Sequence, residues 1–478
     1  MNLLARILNR FNRLLKNGVS GRDPALRGSG KCSHMSPYAA LSKSPRALAD
    51  GPILVFQHPV KPRPSAAPSA PGPQAPQSKR VSIDAGDTLT IRAGWLIDGR
   101  GGPVRQNIRI AVKDGIIAGL WDAPAEPEGA ASQAIPDFSG CTVIPGLVDS
   151  HVHLTMRGSP DEGLRKRLRA ASYESMRRVI GDHLQDHLNH GVVAVRDGGG
   201  VRGYALRCAR GYPGPVCVRA AGRAWHREGR YGRLIGRSPA EGLGVAEAIR
   251  QDDERGDHLK IVNSGLNSLT EYGKQTAPQF DLAEMSAAVK AAAERGLSVM
   301  VHANGAEPVR VAVAAGCRSI EHGFFMGKDN LARMADKGIA WVPTVVTMSA
   351  YARIFEQTGR NPDVVRRTLD HQLDQLAIAR RLGVTVALGT DSGSPGVEHG
   401  QAVIEEMQLF MQAGYSLPEA IPCAAVNGAR LTGGEFGLLE PGRPATLVIV
   451  EGSPSTLPQS LKKVRAVFID GIKHVETG

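Results

Sequence analysis

Three observations predict an α/β fold for this chain: a (β/α)8 TIM barrel carrying a small β-sandwich domain formed by segments from both ends of the body. Eight short apolar runs alternate with helical stretches over roughly 290 residues. Polar residues of metal-ligand type gather at the ends of those runs. Two β-rich blocks flank this alternating middle.

The N-terminal tail, residues 1–80, stands apart from that body. "MNLLARILNRFNRLLK" places apolar residues at 3, 4, 7, 8, 11, 14 and 15, with Arg6, Arg10, Arg13 and Lys16 between them. That is helical periodicity with a basic opposite face. Residues 59–77 hold seven prolines among alanine, serine and glycine and read as an extended linker. The tail is expected to be disordered outside that helix. Two readings stay open for it: a dispensable tail, or weak contact of the helix with an anionic membrane surface. Arginines interrupt the apolar run that a secretory signal would need.

From residue 83 the pattern becomes β-type. "TLTIRAGWLIDG" and "NIRIAVKDGIIAGLW" are short strands separated by Gly/Asp turns, and "ATLVIVEG" and "VRAVFIDGIKHV" close the chain in the same style. Pairing the two blocks gives a β-sandwich domain over 83–145 and 433–476. The barrel then occupies 146–432. Its eight strands are expected in "TVIPGLVDSHVHL", "GVVAVRDGG", "VCVRAAG", "HLKIVNSG", "LSVMVHANG", "CRSIEHGF", "IAWVPTV" and "VTVALGTDSG". Helices are expected between most of them, for example at 282–295 and 364–382.

Charge and cysteine content exclude several classes. The formal charge of +12 sits almost wholly in residues 1–80, which carry 13 Lys/Arg against Asp23 and Asp50. Residues 81–478 are nearly neutral, with 45 basic and 44 acidic residues. A nucleic-acid partner would need the basic residues on the body, so none is expected. The six cysteines form no C-x-x-C pair. They read as buried, reduced thiols of a cytoplasmic protein. No stretch of about 18 apolar residues exists to span a bilayer.

The chemistry concentrates at strand ends. In "IPGLVDSHVHL", His151 and His153 are two residues apart on a strand, so their rings project to one face and reach a common metal ion. Lys260, His302, His322 and Asp391 end the fourth, fifth, sixth and eighth strands. In a barrel all six converge at the C-terminal mouth, where active sites of this architecture lie. Buried histidines and an aspartate without partners would be costly, and a metal centre satisfies them together.

These motifs resemble the amidohydrolase superfamily, and within it the prolidase-like and imidazolonepropionase-like metal-dependent hydrolases. "VIPGLVDSHVHL", "AVRDGGG", "HLKIVNSG", "VHANGAEPVRVAVAAGCRSIEHG", "ALGTDSG" and the closing "NGARLTGGEFGLLEPGRPATLVIVEG" match in order and spacing over about 83–475. The resemblance implies two divalent ions, zinc by default. His151, His153 and Asp391 would bind the more buried ion, and His302 and His322 the second. Lys260, carboxylated to a carbamate, would bridge them. A metal-bridging hydroxide would then attack an amide carbonyl, with Asp391 as the general acid/base. The family also implies a homo-oligomer.

Two positions depart from the family pattern. Asn304 stands where a second histidine is common in the fifth-strand motif, and Thr446 where an aspartate is usual. Substrate clues come from "GRAWHREGRYGRLIGR", whose Arg223, Arg227, Arg230, Arg233 and Arg237 accompany Trp225, His226 and Tyr231. Arginine suits bidentate capture of a carboxylate, so a small-molecule substrate such as a dipeptide or N-acyl amino acid is expected. A solvated basic loop is the competing reading. Arg223, His226, Tyr231, Asn304 and His399 are the candidate substrate contacts. The alternative functions are a mononuclear deaminase or cyclic-amide hydrolase, for which Lys260 would not be a ligand, and a non-catalytic barrel scaffold.

Overall fold

A computed structural model of the chain describes residues 88–122 and 136–476. The basic tail, with its expected helix and linker, lies outside the described residues. Everything described belongs to one compact unit, Lys79–Gly478.

Four strands open the unit: β1 (Thr88–Leu96), β2 (Arg105–Lys113), β3 (Ile116–Asp122) and β4 (Asp137–Pro145). Three close it: β14 (Leu447–Glu451), β15 (Val464–Ile469) and β16 (Ile472–Glu476). They form a single seven-stranded sheet in the order β16-β15-β14-β4-β1-β2-β3. Only the β1–β4 pair is parallel. The expected sandwich is this one sheet curled on itself. Ile116 at the β3 edge bridges Pro444, just before β14. The enclosed core contains Ile91, Ile110, Val143, Leu447 and Phe468. The β2–β3 and β15–β16 hairpins turn at Asp114-Gly115 and Asp470-Gly471, all four residues at positive φ, which is the preferred two-residue hairpin chemistry. The two turns meet: a Cβ on Gly471 would lie 2.8 Å from Gly115 Cα. The departure at Thr446 is absorbed here, since Thr446 Oγ1 donates to Asp470 Oδ1 (3.2 Å) and ties β14 to that turn.

The barrel follows β4 after one residue, Gly146. Its strands are β5 (Leu147–Val152), β6 (Val192–Asp197), β7 (Cys217–Ala220), β8 (Ala224–Trp225), β10 (Leu259–Val262), β11 (Val299–Ala303), β12 (Ser319–His322) and β13 (Ala340–Val342), with a short β9 (Gly236–Arg237) attached to β8. Six of the eight expected strands are regular. The third is broken: β7 pairs with β6, the chain kinks at Gly222, and β8 makes the pair with β10 through Trp225 and Ile261. The eighth closes the barrel by isolated bonds rather than as a ladder. Trp341 bridges Val386, Ser150 N donates to Leu388 O (2.9 Å), and Asp391 N donates to His151 O (2.7 Å).

Helices pack outside these strands. The helix Leu282–Glu294 starts at Asp281 with a capping box to Glu284 and buries Met285, Ala288, Ala291 and Ala292 as one apolar stripe. The helix Asp363–Leu382 ends at Gly383 in the left-handed conformation. Both stand within a residue of their expected bounds. The five cysteines among the described residues are free. Among those residues, no helix is long and apolar enough to cross a membrane.

Candidate metal centre

β5 delivers the two histidines as its alternation requires. His151 lies on the strand and His153 one residue past it, with ring centroids 5.4 Å apart. Asp391 comes from the eighth segment. Its Oδ1 is 3.3 Å from His153 Nε2 and 3.7 Å from His151 Nε2. Among the described residues, these three form the one group whose ligand atoms all lie within 4.8 Å of one another. Asp149, which precedes them, does not join this group. Its buried carboxylate accepts from Thr390 N (2.9 Å) and Thr390 Oγ1 (2.5 Å), sewing β5 to the residue before Asp391.

The other expected ligands stand beside this group. Lys260 Nζ is 3.4 Å from His151 Nε2. The His322 ring lies 4.8 Å from that of His151 and 4.6 Å from that of His302. Lys260 is 1% exposed, and all four histidines are buried.

Hydrogen bonds on the far ring nitrogens set which nitrogen is left bare. His151 Nδ1 donates to Glu321 Oε2 (2.8 Å) and His153 Nδ1 to Gly199 O (2.8 Å). Both rings therefore keep an unprotonated Nε2, turned towards Asp391. His302 is anchored the opposite way, through Nε2 to Gly265 O (3.1 Å), which leaves its Nδ1 bare. His322 Nδ1 hydrogen-bonds the Thr344 hydroxyl (2.7 Å). Anchoring one imidazole nitrogen on protein oxygen while the other faces a shared centre is the arrangement of metal-ligating histidine. The donor set fits a divalent cation.

Electrostatics agree with neutral, ligating forms. Burial drives the His151 and His322 imidazoles well below their ordinary range, His153 down to about 4 and His302 down to about 3. Burial also lowers the Lys260 ammonium to about 8 against the opposing pull of Glu321 and Asp391. The Asp391 carboxyl is pushed up to about 7 by burial, opposed by the hydrogen bond from Ser394 (2.9 Å).

Two of these residues occupy unusual backbone. His322 (φ 67) and Asp391 (φ 58) are both left-handed. For non-glycine residues this costs on the order of 1–3 kcal/mol each and persists only where the surroundings over-determine it. At His322 the consequence is chemical. Strict alternation would turn Glu321 away from the face His322 uses. The positive φ swings His322 so that both neighbours serve the centre. The sequence reading therefore missed Glu321, and with it Arg196, which donates to Glu321 Oε1 (2.8 Å). It also missed Asp197, whose carboxylate accepts from Leu154 N (2.8 Å) and Gly199 N (2.9 Å) and so holds the carbonyl that anchors His153. The available signal was charge inside apolar strands: "AVRD" and "SIEH" put ionisable residues where the barrel interior must be.

The candidate substrate contacts divide. Tyr231 stands at the mouth, its ring 5.2 Å from that of His302, and burial together with Asp391 raises its hydroxyl. Asn304 is occupied with structure, accepting from Phe324 N (3.1 Å). His226 is buried and donates Nδ1 to Arg227 O (2.9 Å). Arg223 gives Nε to Glu254 (3.0 Å), Arg227 pairs with Glu284, and Arg237 pairs with Asp252 while stacking on Trp225. The basic loop is thus largely neutralised by its own neighbours. His399 belongs to a different cluster. It accepts from His187 Nε2 (3.2 Å), donates to Met156 O (2.9 Å) and stacks on His183 at 3.9 Å. A cation on the Asp391 side is Arg165, whose Nη1 donates to Arg157 O (2.6 Å) and Gly393 O (2.8 Å).

The profile of the amidohydrolase family matches residues 142–473. Ochratoxinase of Aspergillus niger is 27% identical over 414 residues, covering 78% of this chain and 83% of its own length. Imidazolonepropionase of Cupriavidus taiwanensis is 25% identical over 372 residues, covering 71% and 83%. A solved Xaa-Pro dipeptidase structure, with methionine bound in its active site, matches at TM-score 0.67 and 26% identity, covering 81% of this chain and 100% of its own.

Proposed function

The chain belongs to the amidohydrolase family, and on that premise we propose that it hydrolyses the amide C–N bond of a dipeptide, an N-acyl amino acid or a similar small molecule. The observation that carries this reading is the set of anchored histidines facing Asp391 and Lys260, which leaves bare ring nitrogens around one polar centre. His151, His153 and Asp391 would hold one divalent ion, and His302 and His322 a second. Lys260, carboxylated, would join them. Bound ions would supply an activated water and polarise the substrate carbonyl.

The protein's part in the chemistry follows. Water adds to the acyl carbon, the C–N bond breaks, and a carboxylate and an amine leave. Asp391 takes the proton from the water and returns it to the departing nitrogen. Its hydrogen bond from Ser394 and the seam from Asp149 to Thr390 hold it in register. Tyr231 packs on His302 and the positive charge of Arg165 acts on Asp391, which supports a substrate bearing a carboxylate.

A mononuclear cyclic-amide hydrolase is the second reading. It is favoured by the fact that only His151, His153 and Asp391 fall within mutual ligand distance among the described residues. One experiment separates the two. Metal content is measured on the purified protein, which is then assayed against Xaa-Pro dipeptides, N-acyl amino acids and the imidazolone ring substrate. Two ions per chain with turnover of acyclic amides supports the proposal. One ion with turnover of the cyclic amide alone replaces it with the second reading. No bound metal after reconstitution with zinc and bicarbonate ends both.

A further inference from the structure

Barrel interiors of this architecture are usually filled by layers of branched aliphatic side chains. Beneath His151 this one holds an ion pair instead. Arg196 on β6 is 2% exposed, and Ser319 and Glu321 on β12 are fully buried. Glu321 Oε1 receives two donors, Arg196 Nη2 (2.8 Å) and Ser319 Oγ (2.5 Å). With Oε1 filled, the carboxylate cannot rotate without losing both, and Oε2 is left facing His151 Nδ1 at 2.8 Å.

Fold stability does not account for this arrangement. A buried ion pair rarely outperforms the apolar side chains it displaces. Arg196 Nε and Nη1 have no hydrogen-bond partner. Its one ion-pair partner among the described residues is Glu321. Its other hydrogen bond, from Nη2 to Ser319 Oγ (2.7 Å), ends on a hydroxyl that itself donates to Glu321, so the guanidinium's contacts converge on that one carboxylate. The other anchored histidines lean on uncharged oxygen: Gly199 O, Gly265 O and the Thr344 hydroxyl. Only His151 has an anionic acceptor.

We infer that Arg196 and Glu321 are positioning residues that hold His151 as the Nδ1–H tautomer and make it the strongest neutral donor of the centre, so that the ion bound through His151 is the last one released. This rests on the metal-centre reading above. A carboxylate behind a ligating imidazole fixes the ring and raises its basicity, and removing such a partner lowers metal affinity by roughly 10- to 100-fold.

The test titrates zinc out of the full chain with a chromophoric chelator, for wild type, Glu321→Gln, Arg196→Met and, as a contrast, Thr344→Val. The visible spectra of the cobalt-loaded proteins are recorded in parallel. The expected result is a tightest step weakened by roughly 10- to 100-fold in Glu321→Gln and Arg196→Met, with an altered cobalt spectrum. Thr344→Val should leave that step unchanged and weaken only the looser one. If Arg196→Met does not fold, the charge-neutral pair Arg196→Met/Glu321→Gln replaces it, and the same weakening is expected. Wild-type affinity and spectrum in these variants would overturn the positioning role while leaving the metal centre standing. A wild-type chain that takes up no zinc would overturn both.

Discussion

Lys260 Nζ lies 3.4 Å from His151 Nε2, inside a barrel where both side chains are withdrawn from solvent. An ammonium so close to the nitrogen proposed to bind metal would repel a cation, whereas a carboxylated amine would bind one. Lys260→Ala should therefore reduce bound metal from two ions per chain to one or none, read by mass spectrometry of the purified protein. Two ions in the variant would remove Lys260 from the centre.

Asp391 Oδ1 faces His153 Nε2 at 3.3 Å while Oδ2 accepts from Ser394. Asn at this position keeps the shape but loses both the proton-transfer capacity and the negative charge proposed to hold an ion. Asp391→Asn should lower kcat by roughly 10²- to 10⁴-fold. Ser394→Ala, which removes only the hydrogen bond, should have a much smaller effect. Comparable losses in the two variants would count against Asp391 as the proton carrier.

Space around the ligand rings is filled to contact. A Cβ on Gly198 would come within 3.0 Å of His153 Cε1 and 3.2 Å of His151 Nε2. On Gly389 it would meet Val342 Cγ1 at 2.4 Å and His151 N at 2.9 Å. Gly198→Ala should weaken metal binding with little change in the thermal stability of the metal-free protein. Gly389→Ala, which presses on the backbone, should lower both. Chelator competition and apo-protein melting curves read the two effects separately.

Acid should destabilise the fold through the cluster of His183, His187 and His399. Burial holds His183 at about 4 and His187 at about 3, and moves His399 well below its ordinary range. The unfolded chain takes up these protons near 6.5 and the folded one does not. Stability is thus fully present above about pH 6.5 and is lost as pH falls towards 4 and 3, by roughly 3 kcal/mol or more per histidine once both folded values are passed. Urea unfolding of the metal-free chain at pH 7.5 and 5.0 should show the drop. His183→Phe should make the drop shallower by one proton's share, the buried His151, His153, His302 and His322 keeping theirs, and an equal slope in that variant would take His183 out of the acid sensitivity.

How far the sequence alone reached follows the physics of each element. Period-2 runs and Asp-Gly turns marked β1 to β4 and β14 to β16, because hairpin twist and strand alternation are local properties. That the two blocks pair was expected from their position and is realised by β4 against β14; the curl that brings Ile116 to Pro444 is a contact without a local signature. The ligand-type residues were legible because each lies in or just beyond an apolar run that the eightfold alternation with helices assigns to the barrel. Glu321 was not, because its role depends on the positive φ of its neighbour His322, which breaks alternation. The arginine-rich loop was over-read for the converse reason. Its charge is visible in sequence, but the partners Glu254, Glu284 and Asp252 that consume it are distant along the chain.

The pairing of β4 with β14 has a bearing on how the protein is made. Thr142 and Gly452, joined through the Thr142 hydroxyl, are 310 residues apart. β4 runs into β5 after a single glycine, so the strand bearing His151 hangs from a sheet that lacks its central partner until the last strands leave the ribosome. Contacts of such long range are slow to form. Until they do, the nascent chain carries a nearly complete barrel sequence with one flank of β4 open, a ready edge for pairing with the wrong strand. A message truncated before residue 447 would yield a protein with every proposed metal ligand present and no root for the first of them.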